Sequence, residues 1–173
     1  MEEYLDIVDE KDHVISRRTR DECLKNGLLH RAITVFVLDR CKRITLQKRA
    51  QMKQWYPGFW TASCTGHVNS GEDYSEAAAR ELGEELGLKK PRPTYLFKFL
   101  APKLKFNHLT EWEFIAVFET NALEPSIHLN SDEIEEIKFV PTGQLKGLIE
   151  SEEETFTPDS VLATRKYLKL KDL

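Results

Sequence analysis

Between Gly66 and Leu88 the chain reads GHVNSGEDYSEAAARELGEELGL. Five residues separate Gly66 from Glu72, and seven more lead to the run Arg80-Glu81-Leu82-Gly83-Glu84-Glu85-Leu86-Gly87-Leu88. No other stretch constrains the fold as much, because it joins glycine-marked turns to a helix crowded with carboxylates. Residues 73–86 are predicted to be helical: Ser75, Ala78, Ala79, Leu82 and Leu86 recur at intervals of three and four and form one narrow apolar stripe. Glu81, Glu84 and Glu85 fall on another face, with Glu81 one turn from both others. Like charges held this close repel one another, so the cluster is costly unless a cation neutralises it. Mg²⁺ or Mn²⁺ suits the position, since hard divalent ions prefer carboxylate oxygens and also bind phosphates. Ala77 is expected on the carboxylate face, where its small side chain leaves room for a metal-phosphate group. Gly66, Gly71 and Gly87 bracket the helix at positions suited to tight turns. Two other acidic groups, Glu133, Glu135 and Glu136, and Glu150, Glu152, Glu153 and Glu154, lack such brackets and read as solvated surface.

The stretch resembles the Nudix box without gap or mismatch: Gly66, Glu72, Arg80, Glu81, Glu84, Glu85 and Gly87 fill the fixed positions, and Leu82 and Leu88 the aliphatic ones. At average residue usage, seven such coincidences arise about once in 10^8 starting positions. The resemblance implies an α/β/α sandwich around a mixed β-sheet. It also implies a loop-helix-loop that binds metal and a diphosphate. On it, Glu81 and Glu85 are the principal metal ligands, and Glu84 is a further ligand or a water activator. Glu72 and Arg80 form a pair that fixes the loop on the helix behind Gly66. The implied activity is Mg²⁺- or Mn²⁺-dependent hydrolysis of a nucleotide or of a nucleoside diphosphate linked to another group, by metal-assisted displacement at phosphorus.

Size and composition restrict the alternatives. One domain is the default for 173 residues, with enough chain to bury a sizeable core. A net charge of −4 disfavours a non-specific nucleic-acid binder, leaving a small-molecule diphosphate as the expected partner. No apolar run approaches the roughly 18 residues of a membrane span, and the N-terminal MEEYLDIVDE lacks the basic and apolar regions of a signal peptide. Cys23, Cys41 and Cys64 are widely spaced with no CxxC, which favours a reducing cytoplasm over a disulfide framework. A homodimer is the default oligomer.

Along the chain, residues 4–8 and 13–18 read as an N-terminal hairpin (about 4–18) across a polar turn, and 20–29 as a connector. Residues 31–38 are β-branched and read as a buried strand. Strands are also expected at 43–49, 60–68, 94–100, 112–119 and 134–140, with a loop at 101–110. A short helix follows Pro141, and Thr157-Pro158 caps a C-terminal helix over about 158–170. Mixed strands and helices imply a helix-covered sheet.

Outside the box, Leu29-His30-Arg31-Ala32, Pro57-Gly58-Phe59-Trp60-Thr61, Gly66-His67 and Glu111-Trp112-Glu113 resemble type I isopentenyl-diphosphate isomerases, a branch of the same fold. In that branch a metal is held at positions matching His30, His67, Glu85, Glu111 and Glu113, and a further histidine falls near Cys23. The isomerase proton-transferring cysteine falls on Thr65. Cys64 lies one residue earlier, on the opposite face of an extended strand. This departure favours hydrolysis, with Glu84 and Glu113 as candidate catalytic residues. Arg49, Lys48, His67 and His30 are candidate substrate-binding residues. A prenyl-diphosphate isomerase and a non-catalytic ligand-binding module on the same fold stay open as alternatives.

Overall fold

The computed structural model describes residues 2–121 and 129–173. In chain order the elements are β1 (Tyr4–Val8), β2 (Val14–Thr19), α1 (Arg20–Asn26), β3 (His30–Leu38), β4 (Arg43–Arg49), β5 (Trp60–Thr61) and β6 (Cys64–His67). They continue as α2 (Tyr74–Leu86), β7 (Thr94–Leu100), β8 (Leu104–Phe106), β9 (Leu109–Glu111), β10 (Glu113–Asn121), β11 (Ile134–Pro141), α3 (Thr142–Ser151) and α4 (Pro158–Leu170). The central sheet runs β11-β4-β3-β10-β7, with β5 on β4 and β6 on β3. β3 and β10 are parallel and the other pairs antiparallel, so the sheet is mixed.

The two-residue period of a strand makes the layers. Ala32, Phe36 and Leu38 of β3, with Ile115 and Val117 of β10, pack under Leu145 and Ile149 of α3 and Val161, Ala163, Tyr167 and Leu168 of α4. Ile33, Val35 and Val37, with Ala116 and Phe118, point the other way onto Ala77, Ala78, Leu82 and Leu86 of α2. The result is an α/β/α sandwich, and no helix among the described residues is long and apolar enough to cross a membrane.

Several elements differ from the sequence reading. The connector at 20–29 contains α1, which a capping box starts: Glu22 N–H donates to the Thr19 hydroxyl, and the Thr19 N–H donates to the Glu22 carboxylate. The expected loop at 101–110 holds the small β8–β9 hairpin, turned through Asn107 at a φ of 54°. The strand expected over 60–68 is broken into β5 and β6, with Ser63 between them donating to the Thr45 carbonyl and accepting from the Val37 N–H. The buried face of α2 is rotated from the expected stripe: Ser75 is exposed, while Ala77 is buried against the sheet and does not line the space beside the carboxylates.

Candidate functional site

Helix α2 is positioned from both ends. Asp73 caps it, accepting from the Ser75 and Glu76 N–H groups at 2.8 and 2.9 Å, while Glu76 reaches back to the Asp73 N–H at 2.9 Å. Gly87 ends it at a φ of 67°. Before the cap, the loop is fastened to the N-terminal hairpin: Ser70 Oγ and the Gly71 N–H both donate to Asp6.

Arg80 ties loop to helix. Its Nε and Nη2 donate to the two oxygens of Glu72, both at 2.9 Å, in a bidentate fork, and Nη2 also donates to the His67 carbonyl at 3.0 Å. Nη1 reaches Glu81 at 2.7 Å and Glu84 at 3.1 Å. Arg80 therefore relieves part of the carboxylate repulsion that the sequence leaves to a cation. Glu72 in turn accepts the Asn69 N–H at 3.0 Å.

The three α2 carboxylates occupy different environments. Glu84 is more than half exposed (57 %) and Glu81 mostly covered. Glu85 is buried beside β4, where Gln47 Nε2 donates to it at 3.1 Å. Burial and then the charge of Glu81 push Glu85 up to about 8, and burial also raises Glu81. Gly66 faces Glu81, and a Cβ there would stand 2.2 Å from Glu81 Oε1. Gly66→Ala is accordingly expected to displace the Glu81 carboxylate and weaken Mn²⁺ binding at least tenfold, measured by calorimetry. An unchanged affinity would show that Glu81 can move aside without loss.

A second group lies where β3, β6, β9 and β10 meet. The strand register sets Glu113 beside His30 and Ala32 beside His67. His30 Nε2 lies 3.3 Å from Glu111 and 3.4 Å from Glu113, and His67 Nε2 lies 3.6 and 3.4 Å from the same carboxylates. One donor atom from each of the four falls within 4.8 Å of the others. Burial alone would lower His30 and His67, but Glu111 and Glu113 reverse this and hold both imidazoles above their ordinary range. Burial would likewise raise Glu111, but His67 and His30 bring it below the usual carboxylate range.

Both groups fit a divalent cation. His30 Nδ1 is 2.8 Å from the Leu28 carbonyl, which turns Nε2 inward, and the buried atoms His30 Nε2 and Glu111 Oε2 have no directed hydrogen bond. Two imidazoles and two carboxylates suit a first-row ion such as Mn²⁺, and the all-carboxylate face of α2 suits Mg²⁺ or Mn²⁺. Cys23 lies outside this group. It is buried against Leu5 and Ile7, and burial pushes its thiol up to about 11.

Both groups border one cavity of about 740 Å³. Arg49 lines it, held by a 2.8 Å hydrogen bond from Nε to the Trp55 carbonyl. Lys48 points elsewhere and pairs with Glu135 at 3.0 Å. Arg20, Lys53 and Asp159, which sequence reasoning passed over, also line the cavity. Arg20 opens α1 behind the Thr19-Arg-Asp-Glu22 capping signature, the one signal that could have drawn attention to it. Thr65 faces the cavity, whereas Cys64 is buried beneath α2 and its thiol is pushed far up by burial and Glu85.

The comparisons agree with this architecture. An isopentenyl-diphosphate Δ-isomerase 2 of Photorhabdus laumondii is 34% identical over 160 residues, 91% of this chain and 88% of that protein. An uncharacterized Nudix hydrolase of Streptomyces coelicolor is 35% identical over 174 residues, 98% of this chain and 89% of that protein. Among solved structures, a Deinococcus radiodurans protein superposes with a TM-score of 0.76 at 24% identity, covering 95% of this chain and 98% of its own. A MutT protein of Methanosarcina mazei gives 0.67 at 17% identity, covering 84% and 96%. The NUDIX domain description matches residues 28–160, which begin two residues before His30 and end in the first turn of α4. By that match, and by relatives aligned over nearly its whole length, the chain belongs to the NUDIX domain family.

Proposed function

We propose that this protein is a divalent-metal-dependent diphosphohydrolase acting on a nucleotide or on a nucleoside diphosphate joined to another group. Family membership supports hydrolysis of pyrophosphate-containing compounds in general. The observation that carries the finer reading is the pairing of a complete Glu81-Glu84-Glu85 face with a cavity whose isomerase thiol position is Thr65. A threonine hydroxyl is too weak an acid or base to move a proton to or from an alkene, and the nearby Cys64 is buried on the other face.

In this reading Glu81 and Glu85 hold Mg²⁺ or Mn²⁺, and Glu84 completes the set. The cation, when bound, supplies polarisation of the phosphoryl oxygens and makes water easier to deprotonate. In this reading Glu84, open to solvent, takes a proton from water, and Glu113, at the cavity wall, is either a second acceptor of that proton or a cation ligand. Arg49, Lys53 and Arg20 line the cavity and offer positive charge to the phosphates, Lys53 from an ion pair with Glu133 and Arg20 from beside Glu3 and His67. His30 and His67, named from sequence as substrate-binding residues, fit better as holders of a second cation with Glu111 and Glu113. Lys48, which does not line the cavity and pairs with Glu135, is left out of the substrate site.

A specific observation favours a second reading. The His30-His67-Glu111-Glu113 group matches the metal positions of isomerases, and relatives carry that name. Incubation with nucleoside diphosphates, nucleotide-linked diphosphates and isopentenyl diphosphate, with Mn²⁺ or Mg²⁺ and mass-resolved products, separates the readings. Hydrolysis yields phosphate or a phosphomonoester, and is expected to vanish with EDTA and to fall at least about 100-fold in Glu84→Gln. Product of unchanged mass from isopentenyl diphosphate would replace the hydrolase with an isomerase. Metal-dependent binding without turnover of any compound would leave a ligand-binding module.

A further inference from the structure

Glu133, Glu135 and Glu136 read as one solvated group in the sequence, and the fold divides them. Glu135 pairs with Lys48 and accepts from Gln51, and Glu136 is exposed. Glu133 lines the cavity together with Lys53, and the two form an ion pair there. Their side chains stay 31 % and 25 % exposed, so a ligand can reach either. Their backbones are fixed to one another and to α2. The Ala50 N–H donates to the Glu133 carbonyl at 3.0 Å, and the Lys53 N–H donates to the Ala50 carbonyl at 3.1 Å. The Glu133 N–H donates to the Asn130 carbonyl at 3.0 Å, and the Asn130 N–H donates to the carbonyl of Glu85 itself at 3.1 Å. Ile134, next to Glu133, is buried in the apolar cluster under α2.

The pair therefore belongs with the α2 carboxylates. Arg80 spends its side-chain bonds on Glu72, Glu81 and Glu84, while Glu85 accepts from the neutral amide of Gln47. Burial and the charge of Glu81 dominate the rise of the Glu85 carboxyl; Glu133 adds to it and Lys53 opposes it. Lys53 is thus a cation that Glu85 feels, and Glu133 is a fourth carboxylate beside the other three. A lysine suits such a post, because its ammonium is a compact charge on a flexible stem and can reach two partners from one anchor. An ion pair this open to water is held weakly, so a stronger charge can draw either partner away. A doubly charged cation is such a competitor for Glu133, and a diphosphate is one for Lys53.

We propose that Lys53 and Glu133 are an exchangeable pair: in the metal-free protein the ammonium stands in for the cation beside the α2 carboxylates, and cation and diphosphate together divide the pair, Glu133 turning to the cation and Lys53 to the phosphate. Each ligand thereby removes the partner that holds back the other's binding residue, so the two assist one another. This inference deepens the diphosphohydrolase reading and rests on it for the identity of the anion. Both exchanges are binding events and need no turnover.

The test uses the whole chain and two probes read by calorimetry. One is Mg²⁺ alone, which suits the all-carboxylate face better than the imidazole group. The other is methylenediphosphonate, a diphosphate that cannot be hydrolysed, added at saturating Mg²⁺. Lys53→Met removes the stand-in charge, so it is expected to tighten Mg²⁺ binding about fivefold and to weaken methylenediphosphonate about tenfold. Glu133→Gln is expected to weaken Mg²⁺ about tenfold, and Lys53→Arg, which keeps the charge, to stay within about twofold of wild type for Mg²⁺. A merely structural pair would move both ligands in one direction or neither, so the opposite signs in Lys53→Met decide the matter. Melting curves identify a variant that has unfolded, and Lys53→Gln then takes the place of Lys53→Met. Mg²⁺ binding unchanged or weaker in Lys53→Met, Mg²⁺ binding unchanged in Glu133→Gln, or methylenediphosphonate binding unchanged in Lys53→Met each overturns the exchange. If wild type hydrolyses no diphosphate while these shifts appear, the hydrolase reading fails and the pair stands; if hydrolysis proceeds with neither shift, the pair alone fails.

Discussion

Glu85→Gln is expected to lower kcat/KM for diphosphate hydrolysis by about 10^3-fold, which corresponds to the several kcal/mol that metal-assisted phosphoryl chemistry draws from its cation. Glu85 is buried, one turn from Glu81, with Gln47 supplying a hydrogen bond at 3.1 Å. Glutamine keeps the shape and an oxygen for Gln47 but removes the charge. Raised to about 8 without metal, Glu85 is a carboxylate whose ionised form the protein alone does not support. A cation supports it, and the glutamine cannot serve the cation in return. The same substitution removes a carboxyl that the metal-free fold must keep protonated or bury as a charge, so melting temperature in EDTA is expected to hold near pH 6 and to rise at pH 8. Loss of activity without loss of fold separates metal binding from a structural role. A variant within tenfold of wild type, with melting unchanged, would remove Glu85 from the metal site.

The spacing from Gly66 to Gly87 made α2, its turns and its carboxylates legible, because each is a local feature of a few residues. Sheet order was less legible: β3 lies between β4 and β10, and nothing local in RAITVFVL selects those neighbours. The differing burial of Glu81, Glu84 and Glu85 depends on how α2 rolls against the sheet. That roll is set by the packing of Ala77, Ala78, Leu82 and Leu86 into the apolar cluster on that face of the sheet, not by the helical period alone. Resemblance to isomerases brought His30, His67, Glu111 and Glu113 into view as a set, and the register of β3 with β10 and β6 is what brings them within reach of one another. Arg20 and Asp159 were hidden for a different reason. Each opens a helix, where a charged residue has an ordinary explanation in capping or the helix dipole, and only the tertiary path of the chain sets it on the cavity wall.

Metal-free protein is expected to lose stability as pH rises from 6 to 8.5, and divalent metal to restore it. Glu85, raised from 4.5 to about 8, binds a proton in the folded state through a window where the unfolded chain has released it. Stability falls with pH wherever the folded state binds more protons, by up to about 1.4 kcal/mol per pH unit for each such group. His30 and His67 act in the same direction. Their protonated forms are favoured by Glu111 and Glu113, so their contribution is full below the unfolded value of 6.5 and is lost as pH climbs through the higher folded values. Glu111 is lowered, so its contribution is lost only in acid, below this range. A cation takes the place of these protons, and its binding therefore strengthens with pH. At one hundred times its Kd at pH 8, Mn²⁺ is expected to add about 2.7 kcal/mol, or roughly 5–10 °C in melting temperature, and the same concentration is expected to add less at pH 6, where Kd is larger. Melting curves in EDTA that stay level or climb between pH 6 and 8.5, or a Mn²⁺ shift independent of pH, would mean that these buried acids and imidazoles are not held in wait for a metal.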